Sequence, residues 1–201
     1  IPLIRPYGAV PPDAEGNGMW YLNKINQQGW DYWKQLNGTG RIVKIAIVDD
    51  GVRKSHEDLR DVIWVNPGEI PGNRIDDDLN GYVDDVQGFD VADNDNDANP
   101  PADASTSRFS HGTRVAGLTS ASTDNGIGMA SLGLNTRIVP VKCVSSYGSS
   151  GDYQKVWWGM IYALKAQVDI INCSWGQDYL LDDQKKILDE IIANKDRKSV
   201  V

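Results

Sequence analysis

Runs of apolar residues alternate with amphipathic stretches through most of this sequence. Three runs rich in β-branched residues, at 42–48, 138–144 and 168–174, predict strands that are covered on both faces, as in a parallel sheet. Apolar residues recur with helical spacing at 153–166 and 182–195, and each of these stretches follows one of the last two runs. The alternation predicts an α/β fold with a doubly covered, mostly parallel sheet.

The two ends of the chain differ from this pattern. Residues 1–25 are rich in Pro and Gly and predict an extended N-terminal arm, followed by a short amphipathic helix at 26–36. Residues 198–201 read as the opening of another strand. We therefore expect residues 26–201 to form one domain body whose sheet is incomplete at the C-terminus.

Charge is concentrated in one segment of the 201 residues. The chain has 20 Lys and Arg against 28 Asp and Glu, a formal charge of −8 that argues against a nucleic-acid partner. Nine Asp and no Lys or Arg lie within residues 76–97, which defines an acidic insert at about 74–100. No apolar run approaches the roughly 18 to 20 residues of a bilayer span, so no membrane partner is expected.

The acidic insert carries the pattern of a cation-binding loop. Oxygen-bearing side chains occur at alternate positions, with a Gly at 81 where a loop must turn sharply, as a hard cation such as Ca²⁺ requires. The pattern departs from a helix-loop-helix calcium site, since position 87 is Gln and no helices flank it. A solvated acidic loop is the alternative, but uncompensated carboxylates favour a metal. The predicted ligands are Asp76, Asp78, Asn80, Tyr82 and Asp84.

Two further residues have catalytic potential. Asp49 ends the first buried run in the sequence Asp49-Asp50-Gly51, which by itself is also an ordinary turn signal. His111 begins a predicted helix for which Ser110 is a candidate cap. A lone His is more often structural than catalytic, so neither residue alone decides a function.

Three segments together resemble the subtilisin family of serine peptidases. They are IVDDG at 47–51, HGTRVAG at 111–117 and INCSWG at 171–176, in family order. The resemblance runs from about Trp20 to the end of the chain. It implies that residues 26–201 are the N-terminal part of a subtilisin-like peptidase domain.

The resemblance also implies residue roles. Asp49 would hold and stabilise the imidazole of His111, and His111 would be the general base. Small residues let an extended peptide or protein substrate approach the backbone closely. The implied substrate-binding residues are Ser149, Ser150 and Gly151, which would pair with the substrate, and Ser174, Trp175 and Gly176, which would line the primary specificity pocket.

Two sets of calcium ligands follow from the same resemblance. One matches the family's high-affinity site, with side chains of Asp58 and Asn125 and backbone carbonyls of Thr123, Ile127 and Met129. The other resembles a calcium loop of some relatives and contains Asp90, Asp93, Asp95 and Asp97. Ca²⁺ is therefore the expected cofactor.

The sequence departs from the family in two respects. Arg114 stands where a second His is usual, and no segment resembling the family's nucleophile or oxyanion Asn occurs. We expect a partner segment beyond Val201 to supply both groups, and this chain alone to be inactive. The leading hypothesis is a secreted, calcium-stabilised serine endopeptidase whose signal and pro-segment precede Ile1. The alternative is an inactive calcium-binding module that binds peptides or a protein; a calcium-dependent adhesion module ranks last.

Overall fold

A five-stranded parallel sheet forms the centre of the molecule. The computed structural model describes Met19 and residues 40–102, 109–147, 155–193 and 199–200, the last two by their backbone. The strands are β1 (Val43–Asp49), β2 (Phe89–Asp90), β3 (Thr136–Lys142), β4 (Ile170–Asn172) and β5 (Ser199–Val200), arranged in the order β2-β3-β1-β4-β5. Every pairing is parallel, which confirms the predicted fold class. Apart from Met19, the predicted arm and the helix at 26–36 lie outside the described residues.

The central strands β1 and β3 each end at a charged residue. In the β1 and β3 register Asp49 lies opposite Lys142, so both charged residues stand at the carboxyl edge of the sheet. Strand β3 ends two residues earlier than the apolar run predicts. The Cys143 amide still donates to the Asp49 carbonyl (2.8 Å), and the following turn is held by a bond from the Ser146 amide to Asp93 (2.8 Å).

Helices cover the sheet on both faces. Side chains alternate along β1, so Ala46 and Val48 face one hydrophobic cluster while Ile45 and Ile47 face the other. The first cluster includes residues of α2 (Val156–Lys165) and α3 (Asp182–Ala193); the second includes residues of α1 (His111–Ser120) and a 3₁₀ turn (Arg60–Val62). Among the described residues, no helix has both the length and the apolar character that crossing a bilayer requires.

The acidic insert is irregular except for β2. Its loops are held mainly by carboxylates and carboxamides that accept backbone N–H bonds. The backbone is left-handed at Leu79 (φ 58°) and Asp84 (φ 55°), so side chains in this segment do not alternate as they would along a strand.

Candidate active site

Asp49 and His111 are paired at the carboxyl edge of the sheet. Asp49 is fully buried, and both of its carboxylate oxygens lie 2.9 Å from His111 Nδ1. The His111 side chain is half-exposed, so the imidazole borders solvent on the side away from Asp49. A buried carboxylate in this position fixes the orientation and the tautomer of the ring.

The next residue, Asp50, fixes the helix that carries His111. Its carboxylate accepts the backbone N–H groups of His111 (3.0 Å) and Gly112 (2.7 Å), which are otherwise unpaired at a helix N-terminus. The predicted cap, Ser110, occupies the capping position but makes no side-chain bond to the helix. Burial raises the pKa of Asp50, although these two donors oppose the change.

Gly112 permits the close approach of this helix to β1. A Cβ at this position would lie 2.9 Å from the Asp49 Cβ and 3.0 Å from Asp50 Oδ1, closer than packed atoms tolerate. The glycine therefore allows the helix N-terminus to dock directly on the Asp49-Asp50 turn, which keeps Nδ1 within hydrogen-bond distance of Asp49.

The segment after β4 lies beside the end of β1. The Trp175 indole N–H donates to the Val48 carbonyl (3.0 Å), and its ring packs edge-to-face on Trp157 at 5.7 Å. Ser174 and Gly176 are exposed, and Ser174 Oγ accepts a bond from Asn172 (2.9 Å). These residues thus border the Asp49 edge, whereas the predicted Ser149, Ser150 and Gly151 lie outside the described residues.

The predicted high-affinity calcium residues converge on Asp58. This carboxylate is 2% exposed and accepts bonds from Asn125 Nδ2 (2.9 Å) and the Met129 amide (2.9 Å). Asn125 Oδ1 accepts the Ile127 amide, and Thr123 Oγ1 bonds the Ser131 carbonyl. The structure therefore brings the loop at 123–131 over Asp58, with an amide nitrogen rather than a carbonyl of Met129 turned toward it.

In the acidic insert, the alternate carboxylates have different partners. Asp76 accepts the amides of Asn80 (3.0 Å) and Gly81 (2.7 Å), and Asp84 accepts those of Gly72 (2.8 Å) and Arg74 (3.0 Å). These two carboxylates close loops. Asn80 turns its carboxamide nitrogen toward two carboxylates and its oxygen toward the Tyr82 amide.

One predicted ligand, Asp78, is grouped with two carboxylates that the spacing did not indicate. One oxygen from each of Glu69, Asp78 and Asp85 lies within 4.8 Å of the others. Asp85 is 2% exposed, and burial raises its pKa to about 6 in spite of bonds from Tyr162, Asn80 and Asn66. We call these three residues the Glu69 cluster.

The loop at 90–97 has a different electrostatic arrangement. Lys142 is fully buried, and its ammonium donates to Asp90 Oδ2, to Asp93 Oδ2 (3.2 Å) and to Ser146 Oγ (2.8 Å). Burial alone raises the pKa of Asp93, but bonds from Ser145, Ser146 and Lys142 lower it to about 2. We call Asp90, Asp93 and Lys142 the Lys142 cluster.

The other two predicted ligands of this loop lie near the surface. Asp95 accepts the Asp97 amide (2.9 Å), and Asp97 accepts bonds from Asn99 and lies 3.5 Å from Lys54 Nζ. The calcium role proposed for the loop stays a prediction, and two of its four carboxylates already share a lysine.

Comparison with known proteins identifies the family. A sequence model of the subtilase family matches residues 40–200. This chain is a subtilase. It is 36% identical over 140 residues to subtilisin-like protease 1 of Plasmodium vivax, covering 68% of this chain and 21% of that protein. It is 32% identical over 171 residues to a thermophilic serine proteinase of Bacillus sp. (strain AK1), covering 84% of this chain and 34% of that protein.

The fold of this subtilase also matches a solved structure. Fervidolysin from Fervidobacterium pennivorans, described as a keratinolytic enzyme related to subtilisin, superposes with a TM-score of 0.57 at 19% identity. The match covers 88% of this chain and 24% of fervidolysin. The subtilase chain therefore spans between about a fifth and a third of the length of these relatives.

The sequence patterns do not indicate three side chains of the candidate sites: Asp50 beside His111, and Glu69 and Asp85 in the Glu69 cluster. The sequence indicates Asp50 only as part of a turn, because the helix whose amides it accepts begins 61 residues later. Glu69 lies just before the acidic insert, and Asp85 adjoins the predicted ligand Asp84. No local pattern indicates which of several neighbouring carboxylates face each other, because that depends on the turns between them.

Proposed function

We propose that this chain supplies the acid-base pair of a secreted, calcium-stabilised serine endopeptidase. The observation that carries the proposal is the 2.9 Å approach of His111 Nδ1 to both oxygens of the buried Asp49. Membership of the subtilase family supplies the reaction class, since the P. vivax and Bacillus relatives are named as proteases. The nucleophilic Ser and the oxyanion Asn are proposed to come from sequence outside residues 1–201.

The proposed chemistry assigns one proton path to His111. With Nδ1–H donating to Asp49, Nε2 accepts the proton of the attacking Ser hydroxyl while the Ser oxygen bonds to the scissile carbonyl carbon. Asp49 stabilises the resulting imidazolium. His111 then gives the proton to the departing amine as the C–N bond breaks, and water hydrolyses the acyl-enzyme with His111 again as base.

The proposed substrate is an extended peptide or protein chain. Ser149, Ser150 and Gly151 are proposed to pair with its backbone, and the segment Ser174-Trp175-Gly176 to border the side chain next to the scissile bond. Support comes from the exposure of Ser174 and Gly176 and from the Trp175 bond to Val48, which keeps this segment next to the Asp49 edge.

Calcium and secretion are further parts of the proposal. The Asp58 carboxylate is buried, and no Lys or Arg nitrogen lies within ion-pair distance of it in the described part of the chain, so a bound cation would supply its missing countercharge. Asp58, Asn125 and carbonyls of Thr123, Ile127 and Met129 would hold the ion, which would link the loop at 123–131 to the turn after β1. Extracellular calcium is abundant enough to fill such a site, which agrees with secretion.

The test is covalent labelling of the natural protein with a fluorophosphonate, read by intact mass. We expect one adduct, and we expect His111→Ala to abolish labelling and to lower kcat by roughly four orders of magnitude or more, because the nucleophile loses its base. Arg114→Ala, one turn further along the same exposed helix face, is the matched control and should label normally.

A different result would favour another function. A natural protein that gains no adduct, but still binds an unlabelled extended peptide, would indicate the inactive calcium-binding module. Near-normal turnover of His111→Ala would rule out the proposed role of His111.

A further inference from the structure

Residues 173–181 join β4 to α3 without regular secondary structure, and they include the proposed substrate-bordering segment Ser174-Trp175-Gly176. Among the described residues, residues 174–180 make no hydrogen bond between backbone groups. An irregular segment without such bonds has several conformations of similar free energy unless side-chain contacts select one of them. The position of Trp175 therefore depends on side-chain contacts.

The carboxamide of Gln177 makes three hydrogen bonds from the middle of this segment. Its Oε1 accepts the indole N–H of Trp157 (3.1 Å), and its Nε2 donates to Gln184 Oε1 (2.6 Å) and to the carbonyl of Tyr179. The indole nitrogen is only a donor and the carbonyl is only an acceptor, so a single orientation of the carboxamide satisfies both. Both N–H groups of Gln177 and one lone pair of its oxygen are thus used.

One of these bonds ties the segment to the start of α3. Gln184 is the third residue of that helix, and its Oε1 also accepts the amide of Leu181 (2.9 Å), the residue immediately before the helix. A Gln that accepts the N-cap amide from this position forms half of a capping box, which fixes the entry of the chain into the helix. Gln177 therefore bonds to a side chain that the helix N-terminus already holds.

A second bond ties the segment to α2 and, through it, to the Asp49 edge. Trp157 is half-buried on α2, and its ring packs edge-to-face on Trp175 with 5.7 Å between the ring centroids. Trp175 donates in turn to the carbonyl of Val48, the residue before Asp49. Both rings pack against the hydrophobic cluster that contains Val48. Direct contacts therefore connect α3, Gln177 and the two tryptophans to the strand that carries Asp49.

We propose that Gln177 is a positioning residue for peptide binding, which holds Trp157 against Trp175 and so keeps the segment 174–176 beside the Asp49 edge. This role involves no contact with the reacting atoms. The part that concerns peptide binding rests on the proposed function, whereas the part that concerns the two tryptophans rests on the hydrogen bonds and the ring contact alone. Gln177→Leu removes all three bonds at nearly constant side-chain size.

The natural protein and its Gln177→Leu variant are compared by hydrolysis of fluorescein-labelled casein, an extended substrate, and by circular dichroism. We expect KM to rise about three- to tenfold while kcat changes less, because the lost hydrogen bonds order the binding segment before the chemical step. The exciton band of the two coupled tryptophans in the far-ultraviolet spectrum should weaken. Asp178→Leu, the same replacement at the neighbouring exposed residue, is the matched control and should leave KM and the band unchanged.

The outcomes separate the role of Gln177 from the proposed function. Wild-type protein that binds casein without hydrolysing it contradicts the peptidase proposal, and casein affinity by fluorescence anisotropy then replaces KM as the test of Gln177. Unchanged KM or affinity in folded Gln177→Leu overturns the positioning role, and so does an unchanged exciton band. Gln177→Asn, whose shorter carboxamide does not span from Trp157 to Gln184, should give the same increase in KM even if Gln177→Leu folds poorly. Wild-type protein that does not bind casein overturns the peptide-binding role.

Discussion

The Lys142 cluster and the Glu69 cluster differ in whether a cation of the chain contacts their carboxylates. Both bring closely spaced carboxylates together, in or next to the acidic insert. At the first, Asp90 and Asp93 share the buried ammonium of Lys142, so the positive charge is part of the chain. At the second, Asp78 and Asp85 share only neutral carboxamide donors, and Glu69 keeps a buried oxygen without a partner.

The two clusters differ in whether their charge balance depends on dissolved ions. A cluster with a covalently attached cation keeps its charge balance whenever the chain is folded. A cluster of carboxylates alone is balanced only when an ion is bound, so its contribution to stability varies with ion concentration. Acidic composition alone therefore does not distinguish a carboxylate cluster that contains a lysine ammonium from one that does not.

Lys142→Met should cause the largest loss of stability among the variants of the two clusters. The variant leaves Asp90 and Asp93 buried without their cation, and removal of one partner from a buried ion pair costs about 3 to 5 kcal/mol. We expect that loss in the free energy of unfolding in EDTA, measured by urea denaturation with tryptophan fluorescence. The measurement is made in the His111→Ala background, which removes the proposed peptidase activity.

The stability of Lys142→Met is also measured in the presence of calcium. Without Lys142, Asp90 and Asp93 would need an external cation, so millimolar calcium should restore part of the lost free energy of unfolding. A defect in packing alone would not respond to calcium. A loss below about 1 kcal/mol would contradict the view that Lys142 neutralises a buried cluster.

Tyr162→Phe should have an intermediate effect on stability and tests the Glu69 cluster. The buried Tyr162 hydroxyl donates to Asp85 Oδ2 (2.8 Å), and a bond to a charged group contributes about 1.5 to 3 kcal/mol. Phe keeps the ring contacts with Tyr82 and Phe89. We expect a loss of this size in EDTA, and a smaller loss in calcium if a bound ion replaces the lost donor to Asp85.

The control for this variant is Tyr179→Phe, at a tyrosine that is 74% exposed, and it should change stability little. Equal losses for Tyr162→Phe in EDTA and in calcium would mean that no ion reaches Asp85. Both variants are compared by the midpoint and slope of urea unfolding.

The sequence predicts the parts of the fold that depend on long apolar patterns. β1, α2 and α3 follow from runs and periods that tertiary contacts do not alter. β2 has only two residues inside the acidic insert and depends on pairing with β3, so no local pattern indicates it. Ser110 is the expected cap by local rules, but Asp50, 61 residues away from His111 in sequence, accepts the helix amides instead.

The candidate sites likewise contain residues that local patterns predict and residues that depend on distant contacts. Asp49 and His111 are found through motifs, and the structure brings them into contact across 62 residues. Alternate spacing in the acidic insert selects Asp84, but the left-handed backbone at Leu79 and Asp84 breaks the alternation. As a result Asp84 turns to backbone amides and its neighbour Asp85 joins Asp78. Such turns depend on contacts with Glu69, Asn66 and Tyr162 that spacing does not encode.

Lys54→Met should have the smallest effect on stability. It tests whether the contribution of a lysine that contacts the loop at 90–97 depends on its burial and not on its charge alone. Lys54 Nζ lies 3.5 Å from Asp97, whose side chain is 66% exposed, against nearly full burial at Lys142 and Asp90. Water already solvates Asp97, and bonds from Asn99 hold it, so we expect a loss of at most about 1 kcal/mol in the same urea assay, with no recovery by calcium. A loss as large as that of Lys142→Met would mean that any lysine beside this loop stabilises it, and that burial does not distinguish the Lys142 cluster.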